Sequence, residues 1–361
     1  MNKHYLFAPG PVTVSNRVKN ALVHEDICHR SPQFEKVFRD IQESLLKVFK
    51  ADNRYMGLLI TGSGSGANET VISTYIRKED QTLLIKNGNF GNFLHEILLS
   101  YQLNFDVLEY GWGVSPNVEE IEARLLKSPE IKSIIMVFHE TSTGMINPVK
   151  EVGQLAHRLG KTFIVDGVSA VGGEDVNIAR DHIDFCTTSA NKCLASLPGV
   201  GIICAKKAKI EERKGYHVPN EYLNLYKIYD FAARLFQTPH TPSVTLFYAL
   251  REALFELLEE GVDNRIARHG RCAKLLRKGF EGMGLEFFIK EHLSNTVTTL
   301  FLPEGFALDP FIDEMDRKGF TLYPGKGPLK DRRGFQVANM GWITEEICES
   351  FLKVLKETLK R

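Results

Sequence analysis

Between Leu58 and Lys207 the chain repeats one rhythm: a short apolar run, a polar or glycine-rich break, and often a stretch of helical periodicity. The runs read LLITG, TLLIKNG, FDVLEYG, SIIMVFHE, TFIVDG, DFCTTSANK and VGIICAKK. Most are rich in β-branched residues and apolar throughout, the pattern of strands buried on both faces. Val149–Leu159, between SIIMVFHE and TFIVDG, has the helical spacing, and so does Ser31–Lys50 ahead of the first run, with Phe34, Val37, Phe38, Ile41, Leu45, Leu46 and Phe49 on one side. Strand–helix–strand alternation confines the chain to an α/β fold with a mainly parallel sheet, because parallel neighbours need a crossover. Ligands of such sheets sit at the carboxyl ends of the strands.

At 361 residues the chain is too long for one ordinary core. The rhythm changes after about residue 245. Leu246–Glu260, Arg265–Met283, Asp309–Lys318 and Thr344–Leu359 have helical spacing, and TVTTLFLP, GFTLYPG and GFQVANMG read as strands. The expected division is a large domain over 16–245, and a smaller α+β domain over 246–361 joined by 1–15. Acidic and basic residues balance at 45 each, so no basic surface points to nucleic acid. No apolar run is long enough for a membrane helix, and MNKHYLFAPGPVTVS does not read as a signal peptide; a cytoplasmic protein is expected. The six cysteines are scattered without a CxxC pair, so they are expected to be reduced thiols and no metal site is expected.

Three motifs carry chemistry. TGSGSGANE, Thr61–Glu69, follows an apolar run and leads into a helix; its small residues let backbone amides approach an anion at the helix N-terminus. It has neither the GK[ST] of a Walker loop nor the later glycine of a dinucleotide fingerprint, and a plain turn is the alternative. Asp166 ends the run FIVD, where a carboxylate serves as a metal ligand, a ribose acceptor, the partner of a protonated ring nitrogen, or only a cap. Lys192 lies between two apolar runs. Desolvation there lowers an amine's pKa and frees it as a nucleophile; an ion-paired lysine is the alternative. The order of the three narrows the choice. A phosphate cup, an acid at a strand end and a lysine downstream suit pyridoxal phosphate, which needs a phosphate clamp, a carboxylate at its pyridine nitrogen and an amine to attach to.

The segments APGPVTVS, ICHRSPQFEKVF, TGSGSGANET, NGNFGN, HETSTGMINPVKEVG, VDGVSAVGG, SANKCLASLPGVG, TPHTPSV and YPGKGP together resemble the class V aminotransferases of fold type I, over nearly the whole chain. Within the class, HETSTGMINPVKEVGQLAHRLGKTFIVDGVSAVGG, SANKC and LYPGK look most like the 2-aminoethylphosphonate:pyruvate aminotransferases, with alanine–glyoxylate aminotransferases more distant. The resemblance implies a seven-stranded, mainly parallel sheet in the large domain and pyridoxal phosphate as cofactor. It makes Lys192 the Schiff-base lysine and Asp166 the acid at the pyridine nitrogen. Val168 is implied against one face of the ring and Phe90 against the other. Ser63, Gly64 and Ser65 match the phosphate cup, and Asn191 stands near the phosphate. The Thr141 hydroxyl reaches the phenolic oxygen. Thr241 matches a residue that the other subunit of a homodimer gives to the phosphate, so each active site needs two chains.

One position departs from the family. Its C-terminal strand usually reads FRIG or WRVG, and that arginine clamps the substrate carboxylate through two parallel hydrogen bonds. Here GFQVANMG puts Gln336 in its place. Either a neighbouring cation such as Arg332, Arg333 or a lysine substitutes, with a bulge at Gly334 to bring Arg333 in; or Gln336 and the backbone of Pro9–Val12 around Gly10 hold the carboxylate; or the preferred substrate has none there. Arg30 and Lys326 are further candidates to hold an anion. The expected reaction is ping-pong transfer from a small amine to a keto acid, with 2-aminoethylphosphonate and pyruvate as the best pair. A cysteine desulfurase is disfavoured because no cysteine lies between Cys272 and Cys348. A nucleotide-binding protein and a non-catalytic relative are the remaining alternatives; the first gives Lys192 no role, and intact Lys192 and Asp166 speak against the second.

Overall fold

The computed structural model describes residues 4–360; the parts of the 1–15 and 246–361 stretches that fall on 1–3 and 361 lie outside the described residues. Each of the seven apolar runs forms a strand of one sheet: β1 (Tyr55–Thr61), β2 (Gln81–Lys86), β3 (Phe105–Glu109), β4 (Ile131–Val137), β5 (Thr162–Asp166), β6 (Phe185–Ser189) and β7 (Val200–Lys206). Their order is β1-β7-β6-β5-β4-β2-β3. β7 is antiparallel to both neighbours and the other contacts are parallel, so six strands point the same way. Helices cover both faces, which is why Ile134, Ile135, Met136, Phe163, Phe185, Ile202 and Ile203 are buried without alternation. Each such side chain removed from water contributes about 1.5–3 kcal/mol.

The helix Pro32–Val48 starts where the sequence provides for it. Ser31 caps it by accepting a hydrogen bond from Phe34 N, and Pro32 occupies the first turn. Its buried stripe of Phe34, Val37, Phe38, Ile41 and Leu45 lies over β1. Gly57 permits that approach: a Cβ there would come 3.0 Å from Leu45 Cδ1.

The six co-directional strands bring Thr61, Lys86, Val137, Asp166 and Ser189 to one edge of the sheet. β6 and β7 are joined by residues 190–199, and Lys192 lies in that connection. The connection is closed at its base by Ala190 N donating to Val200 O, and inside by Ser196 N donating to Ala190 O.

A second sheet of four short antiparallel strands follows: β8 (Glu286–Phe287), β9 (Val297–Phe301), β10 (Tyr323–Pro324) and β11 (Gly334–Ala338), in the order β8-β9-β11-β10. Phe7, Leu276, Phe280, Phe311, Phe335 and Phe351 form its core, with Phe7 stacked on Phe351 at 4.4 Å. The N-terminal segment belongs here, since Tyr5–Leu6 pair in parallel with Phe320–Thr321. GFTLYPG is therefore two short strands instead of one: its first half pairs with Tyr5–Leu6 and its second with β11. The helix Val244–Glu260, in which the expected division at 245/246 falls, puts Phe247, Leu250, Leu254 and Leu257 into the core of the large sheet.

Candidate active site

Asp166 is the last residue of β5 and is buried. Its Oδ1 accepts from Val168 N at 2.9 Å and its Oδ2 from Asn68 Nδ2 at 2.7 Å. Asn68 is fixed in turn by the Thr187 hydroxyl, which donates to Asn68 Oδ1. Burial pushes the Asp166 carboxyl pKa up, against these two donors and the charge of Lys192, which lower it. The acid is thus held rigidly where a buried cation would stabilise it.

Lys192 follows β6 and points to the N-terminal segment, where its Nζ donates to Pro9 O. Burial pulls the ammonium pKa down to about 8; Cys193 and Asp166 oppose the shift and Lys326 adds to it. A near-neutral, poised amine is what nucleophilic attack on a carbonyl requires. Gly10 leaves the space for it: a Cβ there would lie 2.5 Å from Lys192 Nζ. The Gly10 carbonyl accepts from the Tyr323 hydroxyl at 3.2 Å. Asn191 precedes the lysine and is half-buried.

The TGSGSGANE motif is the first turn of the helix Gly64–Tyr75, capped by Ser63. Ser63 to Ser65 therefore sit at a helix N-terminus, where free amides and the dipole favour an anion. Gly64 lies against the Asp166 segment: a Cβ would come 2.7 Å from Val168 Cγ2. Phe90 starts the helix Asn89–Ser100. The buried Glu140 carboxylate takes up the first amides of that helix, accepting from Phe90 N and Gly91 N at 3.1 Å. A carboxylate there complements the helix dipole, though burial pushes its pKa up.

Thr141 Oγ1 hydrogen-bonds the Ser169 hydroxyl, and Ser169 Oγ donates to His139 O at 3.1 Å. His139 is buried and its Nδ1 faces Ser169 O at 3.1 Å. A carbonyl only accepts, so Nδ1 carries a hydrogen, and burial of the ring favours its neutral form. Burial lowers the ring pKa to about 4. His139 Nε2 is left as a buried acceptor with no partner among the described residues. Asn68, His139, Glu140 and Ser169 were not singled out from sequence, although each lies inside a motif quoted for other residues.

The outer candidates separate. Lys326 reaches the site: its Nζ lies over the Phe90 ring, 5.4 Å from the centroid. Gln336 is buried on β11, and its Nε2 donates to Thr141 O at 2.6 Å and Thr299 Oγ1 at 3.1 Å. These two bonds tie β9 and β11 to Thr141 and engage both amide hydrogens of Gln336. Arg332 turns away to Glu286 at 3.2 Å and to the face of Phe301. Arg333 is exposed, and β9 and β11 keep a continuous register, so no bulge at Gly334 brings it inward. Arg30 donates to Gln237 Oε1, Thr238 O and Pro239 O. Those contacts pin the segment that carries the exposed Thr241, beside Thr61 and His240. Arg30 thus acts on that segment.

Pyridoxal phosphate suits this set. The helix N-terminus at Ser63–Ser65 suits the phosphate, Val168 and Phe90 supply two apolar faces, Asp166 is a fixed acid, and Lys192 is a desolvated amine. His139 Nε2 adds an unpartnered buried polar atom on the Thr141 side of the site.

Comparison with known proteins points the same way. The family described as Aminotransferase class-V matches residues 15–309. An uncharacterised aminotransferase of Methanocaldococcus jannaschii is 37% identical over 99% of this chain and 93% of its own. A 2-aminoethylphosphonate–pyruvate transaminase of Lysinibacillus sphaericus is 34% identical over 99% of this chain and 97% of its own. Among solved structures, ureidoglycine–glyoxylate aminotransferase from Bacillus subtilis superimposes with a TM-score of 0.93 at 29% identity, covering 100% of this chain and 94% of its own.

Proposed function

The chain belongs to the class-V aminotransferases, and from that premise we propose that it moves the amino group of 2-aminoethylphosphonate to pyruvate, or runs the same exchange in reverse. The cofactor of the family is pyridoxal phosphate; when bound, it supplies an electron sink conjugated with the carbon that bears the amine. The observation that carries the reading is the meeting of Lys192, Asp166 and the Ser63–Ser65 helix N-terminus at one sheet edge, in a chain alike over its whole length to a phosphonate transaminase.

Lys192 Nζ would anchor the cofactor and, as a free amine, would carry the proton to and from the substrate carbon. Burial lowers its pKa, so more of it is neutral near neutral pH than of an ordinary lysine. Asp166, held by Asn68 and Val168 N, would pair with the ring nitrogen and favour its protonation. Ser63–Ser65 and Asn191 would bind the phosphate, Phe90 and Val168 would supply apolar contacts to the ring, and the Thr141 hydroxyl would serve its phenolic oxygen. The exposed Thr241 would be free to reach the phosphate of a second subunit, in a homodimer with shared sites. No described helix is long and apolar enough to cross a membrane. The small domain takes in the N-terminal segment and the chain beyond the helix Val244–Glu260.

The test is alanine formation from 2-aminoethylphosphonate and pyruvate by purified protein loaded with cofactor. Formation that requires both substrates supports the pair. A protein that transaminates pyruvate only with other amines discards the phosphonate and keeps the class.

A further inference from the structure

The basic side chains around Lys192 differ in what they are doing. Arg277 donates to Ser294 O and to Thr298 Oγ1 at 3.2 Å. Arg30 is held by three acceptors of the 237–239 segment, and Arg332 by Glu286. Lys326 has neither an acid nor a carbonyl partner among the described residues; its ammonium rests on the Phe90 ring and its charge is felt at Lys192.

The turn that carries Lys326 is fixed on three sides. Tyr323 OH donates to Gly10 O at 3.2 Å. Gly325 N donates to Gly334 O at 2.7 Å. Gly327 has φ +50, and a Cβ there would lie 2.9 Å from Trp112 Cη2, so the turn leans on the indole of the large domain. A charged side chain is thereby held between the roof over Lys192, Phe90 and Trp112.

We infer that Lys326 selects the amine donor by its anionic tail, and that the tail it favours is a phosphonate over a carboxylate. An ammonium is a point charge with three rotatable donors and no plane to match; it suits a tetrahedral anion in many orientations, and its attraction grows with the anion's charge. A guanidinium forks carboxylates and phosphorus oxyanions alike through two parallel hydrogen bonds, whereas an ammonium ranks anions by charge and so favours the more highly charged phosphonate. Here Arg30, Arg277 and Arg332 are engaged elsewhere, Arg333 is exposed, and both Gln336 amide hydrogens are engaged. This inference rests on the aminotransferase reading and adds the residue that reads the donor.

The test uses cofactor-loaded enzyme without keto acid and follows the cofactor's visible absorbance as amine is added. Three donors share a two-carbon amine: 2-aminoethylphosphonate, 3-aminopropanoate and ethylamine. The wild type should half-saturate at the lowest concentration with the phosphonate. In Lys326→Gln the ratio of ethylamine to phosphonate half-saturation should fall about tenfold or more, the scale of one hydrogen bond to a charged group. Lys326→Arg should keep most of that ratio and improve the carboxylate. An unchanged ratio in Lys326→Gln, or a wild type that treats phosphonate and carboxylate alike, overturns the inference and leaves the aminotransferase reading standing. Absorbance that no amine alters, the α-amino acids included, overturns both.

Discussion

A methyl group on Gly10 would lie 2.5 Å from Lys192 Nζ and 2.8 Å from its Cδ. The N-terminal segment is therefore the roof over the amine, and only a residue without a side chain fits at its lowest point. The backbone makes the same demand, since φ at Gly10 is +124, a region that costs other residues on the order of 1–3 kcal/mol. Gly10→Ala should reduce the fraction of Lys192 that carries the cofactor by about tenfold or more at limiting cofactor. Borohydride reduction followed by peptide mass analysis measures that fraction; wild-type labelling would show that the roof yields without cost.

Lys192→Met should abolish both turnover and covalent attachment, and it should also change how stability depends on pH. The folded-state pKa of Lys192 lies at about 8, below its ordinary 10.5. Between those values the unfolded chain binds more protons than the folded one, so this group makes stability rise with pH across that window. Below about 8 its full penalty is present. Cofactor-free Lys192→Met should exceed the cofactor-free wild type in stability at neutral pH, and the difference should vanish above 10.5. Denaturant melts at several pH values check this; a gap independent of pH would place the effect in packing.

Asn68→Ala should leave Asp166 Oδ2 without its donor, at a cost of about 1–3 kcal/mol. The Asp166 carboxyl should then be harder to ionise and the cofactor should dissociate faster. Release into dilute buffer, followed by the loss of visible absorbance, measures the rate. Asn68→Asp puts a second acid beside the first and should be worse still.

Gln336→Arg places a guanidinium on β11 beside Thr141. It should lower the KM for pyruvate more than it changes kcat, while overpacking lowers the melting temperature. A KM that stays at the wild-type value would show that another group already holds the keto-acid carboxylate.

Much of this architecture is legible in the sequence because its signals are local. The run FIVD ends at Asp166 and the run DFCTTS ends one residue before the turn of Lys192, so two site residues follow from where apolar runs stop. The helix Pro32–Val48 follows from the helical spacing of Phe34, Val37, Phe38, Ile41 and Leu45. The misses have a different origin. GFTLYPG splits into two strands because its halves pair with Tyr5–Leu6 and with β11, segments far away in the chain. Asn68 acquires its role from Asp166, 98 residues on. Gln336 and Arg30 look like free donors in the sequence, whereas in the fold they meet Thr141 O and Thr299 Oγ1, and the acceptors of the 237–239 segment. A side chain's residue type can be read from the sequence, but not which distant group already holds it.

The connection between β6 and β7 has a different character from the others at the site edge. Most of those run from a strand into a helix, where an added residue can be absorbed at a helix end. Residues 190–199 join two paired strands, with Ser189 opposite Gly201 and Ala190 N bound to Val200 O. One residue inserted or removed there and passed into β7 would turn each of its side chains to the opposite face, and β7 is paired on both sides. The loop that carries Lys192 is thus the least forgiving of length change, and homologous chains or designed variants should tolerate substitutions in it far better than indels.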